Sequence, residues 1–361
     1  MNKNIAVLKG DGIGPEVTDQ ALKVLKAVEQ VFGHKFTYTE GLIGAVAIDA
    51  TGNPYPDETH AICQASDAIL FGAIGHPKYD NDPKATVRPE QGLLKMRKTL
   101  GLYANIRPIN TYKILANSSP LRADLVDGVD FVVFRELTGG IYFGEKGRKD
   151  NGDTAFDNCM YTKEEILRIS KLAFSAAMLR NKRLTLVDKA NVLETSRLWR
   201  EVVRELAASY PEVAVDYMFV DNAAMKIIQN PRHFDVVLTE NLFGDVLTDE
   251  ASVITGSLGM LPSASVGSKT ALYEPIHGSY PEAAGKNIAN PMGAILSAAM
   301  LLETSFGLTK ESAAIRQAVL NALEKGIVTS DIKKESTETT TSVGDFIAAY
   351  IVTNKSVLTV A

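Results

Sequence analysis

The chain has 361 residues, 45% of them hydrophobic and 22% charged, with a formal net charge of −5 and two cysteines. The length suggests two domains around a sizeable core, and no unbroken apolar run is long enough to span a bilayer, which argues against a membrane role. The acidic balance argues against nucleic acid as the main partner. Cys63 and Cys159 are far apart in sequence, so neither a disulfide framework nor a cysteine metal site is expected, and both read as reduced and structural.

The opening MNKNIAVLKGDG runs straight into a strand pattern. It lacks the apolar core and small-residue cleavage site of a secretory signal, so a cytoplasmic protein is expected. Residues 5–8 read as a short buried strand, residues 10–15 as a turn, and an apolar-periodic helix is predicted from about Glu16 to Val31. Strand, glycine turn and helix resemble a dinucleotide fingerprint, but Pro15 and Glu16 stand where a third glycine should fall, so the expected role is a turn into a helix. Strand-like runs at 68–72, 102–109, 131–135, 184–188, 213–220 and 235–239 alternate with helical patterns, which predicts an α/β fold. Residues 139–161 mix glycine, aromatic and charged residues without helical period and suit an extended antiparallel arm that pairs with another subunit. Residues 256–268, rich in Gly, Ser and Pro, read as a loop suited to a domain crossing. The tail from Asn290 onward reads as largely helical.

In ENLFGDVLTDE, residues 240–250, Asp245 and Asp249 stand four apart in a segment that reads as helical, which puts both carboxylates on one face. Acids at this spacing usually mark a solvated face. Here the helix follows an apolar strand, and in open α/β sheets ligands gather at the carboxyl ends of strands; a hard cation, Mg2+ or Mn2+, is the second reading. Asp221 closes another strand and is a candidate third carboxylate. Arg97, Arg107 and Arg135 admit two readings: three separate ion pairs, or one small ligand with more than one carboxylate, each bound bidentately. Lys189 ends the strand at 184–188 and is either an exposed lysine or a general base beside a metal. Tyr142 is either an arm aromatic or a proton donor. Residues 274–291, EPIHGSYPEAAGKNIANP, read as a strand joined to a helix through His277 and Gly278. They form either a plain turn or a pyrophosphate site at a helix N-terminus, with Glu282 accepting from ribose hydroxyls.

Nine stretches in order give the chain a resemblance, over nearly its whole length, to the β-decarboxylating dehydrogenases of the isocitrate/isopropylmalate dehydrogenase family. They are GDGIGPE, RPEQGLLKMRK, LYANIRP, RELTGGIYFGE, DKANVLETS, VDNAAM, ENLFGDVLTDE, GSLGMLPSAS and HGSYPEAAGKNIANP. The resemblance implies a two-domain fold with a large central sheet, not a Rossmann fold, plus a dimer-forming β arm. Residues 1–99 and 254–361 would form a cofactor-side domain, and 100–253 a metal and dimerisation domain that includes the arm at 139–161. A homodimer with shared active sites is implied. Arg97, Arg107 and Arg135 would hold the carboxylates of a substituted malate. Asp245 and Asp249 of one subunit, with Asp221 of the other, would hold Mg2+ or Mn2+ against the substrate, Lys189 would be the base and Tyr142 the acid. Leu93 and Leu94, with Val192 of the second subunit, imply an apolar surface for an isopropyl group, and Glu90 disfavours a γ-carboxylate, so 3-isopropylmalate is the implied substrate and 4-methyl-2-oxopentanoate the product. NAD is the implied cofactor, bordered by the 77–90 stretch with Pro77 and Glu90, and by His277, Gly278, Ser279, Glu282, Ile288 and Asn290. An acid at Glu282 favours NAD over NADP. Two residues depart from the family's usual pattern: Glu282 replaces an Asp, and Tyr280 a small residue.

Overall fold

The computed structural model describes residues 1–81 and 85–355. The chain divides into two compact units, residues 1–102 with 257–361, and residues 103–256. The first opens with β1 (Asn2–Gly10), whose Ile5, Ala6, Val7 and Leu8 are fully buried, as a strand covered on both faces requires. A turn with positive φ at Gly10 and Gly12 leads into α1 (Gly14–Phe32), which has Pro15 in its first turn and Gly33 in the left-handed region at its end. β2 (Lys35–Glu40), α2 (Ala45–Thr51), α3 (Asp57–Ala65), β3 (Ala68–Ala73), α4 (Pro77–Asp80) and α5 (Pro89–Thr99) follow. β2 lies at the sheet edge and buries only Phe36, so it carries no apolar run for sequence reading to find.

The second unit holds β4 (Ala104–Asn110), α6 (Ala123–Val126), β5 (Asp130–Glu136), β6 (Lys146–Lys149), β7 (Thr154–Asp157), α7 (Lys163–Leu179), β8 (Arg183–Asp188), α8 (Glu194–Ala207), β9 (Ala214–Phe219), α9 (Val220–Gln229), β10 (Val236–Thr239) and α10 (Asn241–Ser252). Its strands run in the order β4-β5-β10-β8-β9, with β4 antiparallel to β5 and the rest parallel. Phe131, Val133, Val187, Val237 and Leu247 meet in its core. Of the expected arm at 139–161, only the exposed hairpin β6–β7 is extended; it turns through positive φ at Asp150, Asn151 and Gly152.

The chain then completes the first unit with β11 (Pro262–Val266), β12 (Ala271–Pro275), α11 (Met292–Phe306), α12 (Thr309–Glu324) and α13 (Thr340–Thr353). Its strand order is β2-β1-β3-β12-β11, parallel except for β11 against β12, which is not the Rossmann order. Residues 256–268 are therefore not all loop. Pro262, Ser263, Ala264 and Ser265 are buried in β11 against α11, a helix apolar nearly all round, and small side chains let helix and strand approach. Residues 274–291 also differ from expectation. Between β12 and α11 the chain makes only one short turn, Pro281–Ala283, with positive φ at Tyr280 and Asn287, so His277 and Gly278 do not sit at a helix N-terminus.

Candidate active site

In the second unit, β10 delivers the chain into α10, capped where the Glu240 carboxylate accepts from the Phe243 N–H at 3.0 Å. The four-residue spacing then points Asp245 and Asp249 toward two arginines carried by the neighbouring antiparallel strands β4 and β5. Arg135, almost fully buried, donates Nε to the Asn241 carbonyl at 2.9 Å, Nη2 to Asn241 Oδ1 at 2.9 Å, and Nη1 to Asp245 Oδ1 at 2.5 Å. Arg107 donates Nε to Asn105 Oδ1 at 2.8 Å, and Nη1 to Thr248 Oγ1 at 2.6 Å and Asp249 Oδ1 at 3.2 Å. Its Nη2 stands 3.9 Å from Asp245 Oδ1. Two buried guanidiniums are thus neutralised by the acids of one helical face, the condition for burying such charge.

Tyr142 joins the same cluster. Its hydroxyl donates to Asp245 Oδ2 at 2.8 Å, and the Arg135 guanidinium lies 5.8 Å from its ring centre. Burial first, then the Asp245 carboxylate, push the phenol up to about 12, so it holds its proton at neutral pH. The loop that presents Tyr142 is fastened from below. Glu136, fully buried and with its carboxyl pushed up by that burial, accepts from Thr138 N at 2.9 Å, Thr138 Oγ1 at 2.8 Å, Gly139 N at 2.7 Å and Arg168 Nη2 at 3.2 Å. Asn241 Nδ2 donates to the Gly139 carbonyl at 3.1 Å, and a Cβ on Gly140, which holds φ +73°, would collide with the Tyr161 hydroxyl. Sequence reading missed Asn105, Glu136, Tyr161, Asn241 and Thr248. Asn105 and Glu136 near strand ends and Asn241 in the first turn of α10 offered a signal, whereas Tyr161, in the loop before α7, and Thr248, within α10, offered none.

Lys189, just past β8, and Asp221, which sits in the first turn of α9 rather than closing a strand, form a separate pair. Lys189 Nζ donates to Asp221 Oδ1 at 2.6 Å, which holds the Asp221 carboxyl below its usual range. Among the described residues of one chain, no three His, Cys, Asp or Glu side chains gather as a metal set. Val192, three residues beyond Lys189, is 60% exposed. The donor chemistry nevertheless suits a hard cation: Asp245 and Asp249 offer carboxylate oxygens on side chains 33% and 70% exposed.

In the first unit, Arg97 pairs with Glu274 at 3.1 Å, and its buried Nε has no hydrogen-bond partner. Leu93 packs against a core cluster containing Tyr55, Met96 and Leu102, whereas neighbouring Leu94 is half-buried outside it. Glu90 and Ser279 both lie against Gly75: a Cβ on Gly75, which holds φ +114°, would meet Glu90 Oε1 at 3.0 Å and Ser279 Oγ at 3.5 Å. Asp11 ties the same region together, accepting from Gly75 N at 2.9 Å and Ala45 N at 2.9 Å, while Ile13 N donates to the Ser279 carbonyl at 2.8 Å. The GDGIGPE turn thus supports the loops at the carboxyl ends of β1, β3 and β12. His277, Gly278, Ile288 and Asn290 line a pocket of about 450 Å³. His277 Nδ1 donates to the Gly278 carbonyl at 2.9 Å, burial lowers the ring's pKa, and Nε2 is shielded from solvent with no partner. Half-buried Pro77 opens α4, Glu282 is exposed, and Asp82, Pro83 and Lys84, in the stretch expected to border the cofactor, lie outside the described residues.

The sequence profile of the isocitrate/isopropylmalate dehydrogenase family matches residues 4–347. A 3-isopropylmalate dehydrogenase of Bacteroides fragilis is 58% identical over 353 residues, which span 97% of this chain and 99% of that protein. One of Geobacillus kaustophilus is 57% identical over 335 residues, 92% of this chain and 90% of the relative. The crystal structure of isocitrate dehydrogenase from Methylococcus capsulatus is similar to this chain with a TM-score of 0.87 at 32% identity, covering 97% of this chain and 99% of the other.

Proposed function

The chain belongs to the isocitrate/isopropylmalate dehydrogenase family, and on that footing we infer that it catalyses the oxidative decarboxylation of (2R,3S)-3-isopropylmalate to 4-methyl-2-oxopentanoate and CO2 with reduction of NAD+, a step of leucine biosynthesis. The observation that carries this is end-to-end identity of 58% to a 3-isopropylmalate dehydrogenase, joined to a site in which arginines and a protonated tyrosine converge on paired aspartates.

Arg97, Arg107 and Arg135 bind the two malate carboxylates, for which planar guanidiniums are suited. The isopropyl group meets Leu93 and Leu94, of which Leu93 also packs against the core cluster, and Val192 of the partner subunit. Glu90 repels a γ-carboxylate. Asp245 and Asp249, with Asp221 of the partner subunit, would hold a divalent cation, Mg2+ or Mn2+, which would supply Lewis acidity to the reaction. Lys189 of the partner subunit takes the C2 hydroxyl proton, and a bound NAD+ would supply the hydride acceptor. After CO2 leaves, Tyr142 donates its hydroxyl proton to C3, for which a phenol still protonated at neutral pH is fitted.

For the cofactor, Pro77, Glu90, His277, Gly278, Ser279, Ile288 and Asn290 border the dinucleotide, and Glu282 accepts from the ribose hydroxyls. The orphaned Nε2 of His277 supports a ligand in this pocket. Asp331 lines it too, its carboxylate held by Ser257, Thr329 and Asn290, and this negative charge disfavours the additional phosphate of NADP. No helix among the described residues is long and apolar enough to cross a membrane, and a cytoplasmic homodimer with shared sites is the assembly this reading requires. Purified protein stripped with a chelator and given 3-isopropylmalate and NAD is expected to form no NADH until Mg2+ or Mn2+ is restored. Undiminished turnover in the chelator would overturn the metal assignment.

A further inference from the structure

Asn241 opens α10, is buried, and reaches two residues that the proposed reaction uses. Its backbone carbonyl accepts from Arg135 Nε at 2.9 Å, and its side-chain Oδ1 accepts from Arg135 Nη2 at 2.9 Å. The other end of the same amide, Nδ2, donates to the Gly139 carbonyl at 3.1 Å, three residues before Tyr142. A guanidinium only donates and a carbonyl only accepts, so the amide has one orientation here.

The rest of that helical face serves the same arginine. A Cβ on Gly244 would meet Arg135 Cγ at 2.6 Å, so the arginine stem lies directly on the helix backbone, and Asp245 takes Nη1 at 2.5 Å. Residues 241, 244 and 245 thus line up as a cradle along one face of α10. Asn241 is itself anchored, its N–H donating at 2.9 Å to the Tyr161 hydroxyl, which donates to the Glu240 carboxylate at 3.1 Å. Ion pairing alone would favour a second carboxylate at this position. An Asp there would set an oxygen against the Gly139 carbonyl, and beside Asp245 it would cancel the positive charge that a substrate carboxylate requires.

We propose that Asn241 is a positioning residue that locks two parts of the reaction together. Its oxygen orients Arg135 toward the substrate carboxylate, and its nitrogen sets the Gly139–Tyr142 turn so that the Tyr142 hydroxyl reaches the carbon it protonates. The proposal rests on the roles given to Arg135 and Tyr142 in the 3-isopropylmalate reading, and Asn241 acts only through those two side chains.

Steady-state kinetics with 3-isopropylmalate, NAD and Mg2+ on single and double variants tests this. Asn241→Asp, equal in size, keeps the acceptor for Arg135 but loses the donor to Gly139. It is expected to lower kcat roughly a hundredfold, the effect of displacing a reacting group by about 1 Å. In a Tyr142→Phe background the same substitution is expected to lower kcat no further, because the group it misplaces is already gone. Asn241→Ala removes both contacts, and in that background it is expected to raise KM for 3-isopropylmalate roughly tenfold, the order of one charged hydrogen bond. Equal losses of kcat with and without the Tyr142 hydroxyl would overturn the link to the proton donor, and an unchanged KM the link to Arg135. Variants that lower Tm while keeping parent kcat and KM would make Asn241 a structural anchor and overturn the proposal whole. Asn241→Asp, which keeps the shape, carries the test should Asn241→Ala fail to fold. A parent chain that does not turn over 3-isopropylmalate would instead sink the substrate reading on which the proposal stands.

Discussion

Two inactive variants, allowed to exchange subunits, test whether a working site is drawn from two copies of the chain. Within one chain Lys189 sits on Asp221 at 2.6 Å, whereas Asp249 and Asp245 sit on Arg107 and Arg135. The proposed site joins Lys189 of the partner subunit to the aspartates of the first. Lys189→Met removes the base and Asp249→Asn a metal oxygen. Asp249 is chosen over Asp245 because its side chain is 70% exposed, while removing Asp245 would strip a buried Arg135 of its counter-charge. Each homodimer carries the lesion in both sites, and loss of a positioned base alone costs about 100-fold to 10,000-fold. Random pairing makes about half the dimers mixed, and in each of these one site combines both intact halves while the other carries both lesions. The mixture is therefore expected to recover about a quarter of parent activity per chain from two parents near zero. The assay is NADH formation before and after exchange, with mixed dimers verified by tags of different size. Activity that stays at the mean of the two variants, with exchange verified, would refute the shared site.

Tyr142→Phe is expected to lower kcat by roughly a hundredfold or more while leaving NAD affinity unchanged; a loss below about tenfold would remove Tyr142 as the proton donor. Leu94→Asn should reduce kcat/KM for 3-isopropylmalate by roughly 10- to 200-fold, the usual worth of apolar pocket contact, with little change in Tm because Leu94 lies outside the core cluster that holds Leu93. Glu136→Ala should destabilise the protein by about 2–3 kcal/mol, since it leaves the Gly139 and Thr138 donors unsatisfied and Arg168 without its buried partner. Denaturant unfolding measures this, and a change within about 0.5 kcal/mol would show that Glu136 does not fasten the Tyr142 loop.

The fold was legible where burial is two-sided. The runs that became β1, β3, β5, β8 and β10 are apolar because helices or neighbouring strands cover them, and apolar runs can be read locally. β2, polar at the sheet edge, and β11, built of small residues under α11, carry no such signal; their pairing is a long-range property. In the site, the spacing of Asp245 and Asp249 was legible because a helix converts four residues into one face. Their partners were not, because Asn105, Asn241 and Thr248 are identified only when β4, β5 and α10 come together. The 274–291 stretch shows the reverse error: a motif reads as strand into helix, but positive φ at Tyr280 and Asn287 and Pro291 before α11 delay the helix to Met292.

Substrate choice distinguishes a 3-isopropylmalate dehydrogenase from the other activities of the family. Purified protein with NAD and Mg2+ is offered 3-isopropylmalate, isocitrate, malate and tartrate in parallel, and kcat/KM is compared while 4-methyl-2-oxopentanoate is identified as product. Strong preference for 3-isopropylmalate is expected, since Leu93 and Leu94 favour an apolar branch and Glu90 opposes a γ-carboxylate. Turnover mainly of isocitrate, malate or tartrate would contradict it.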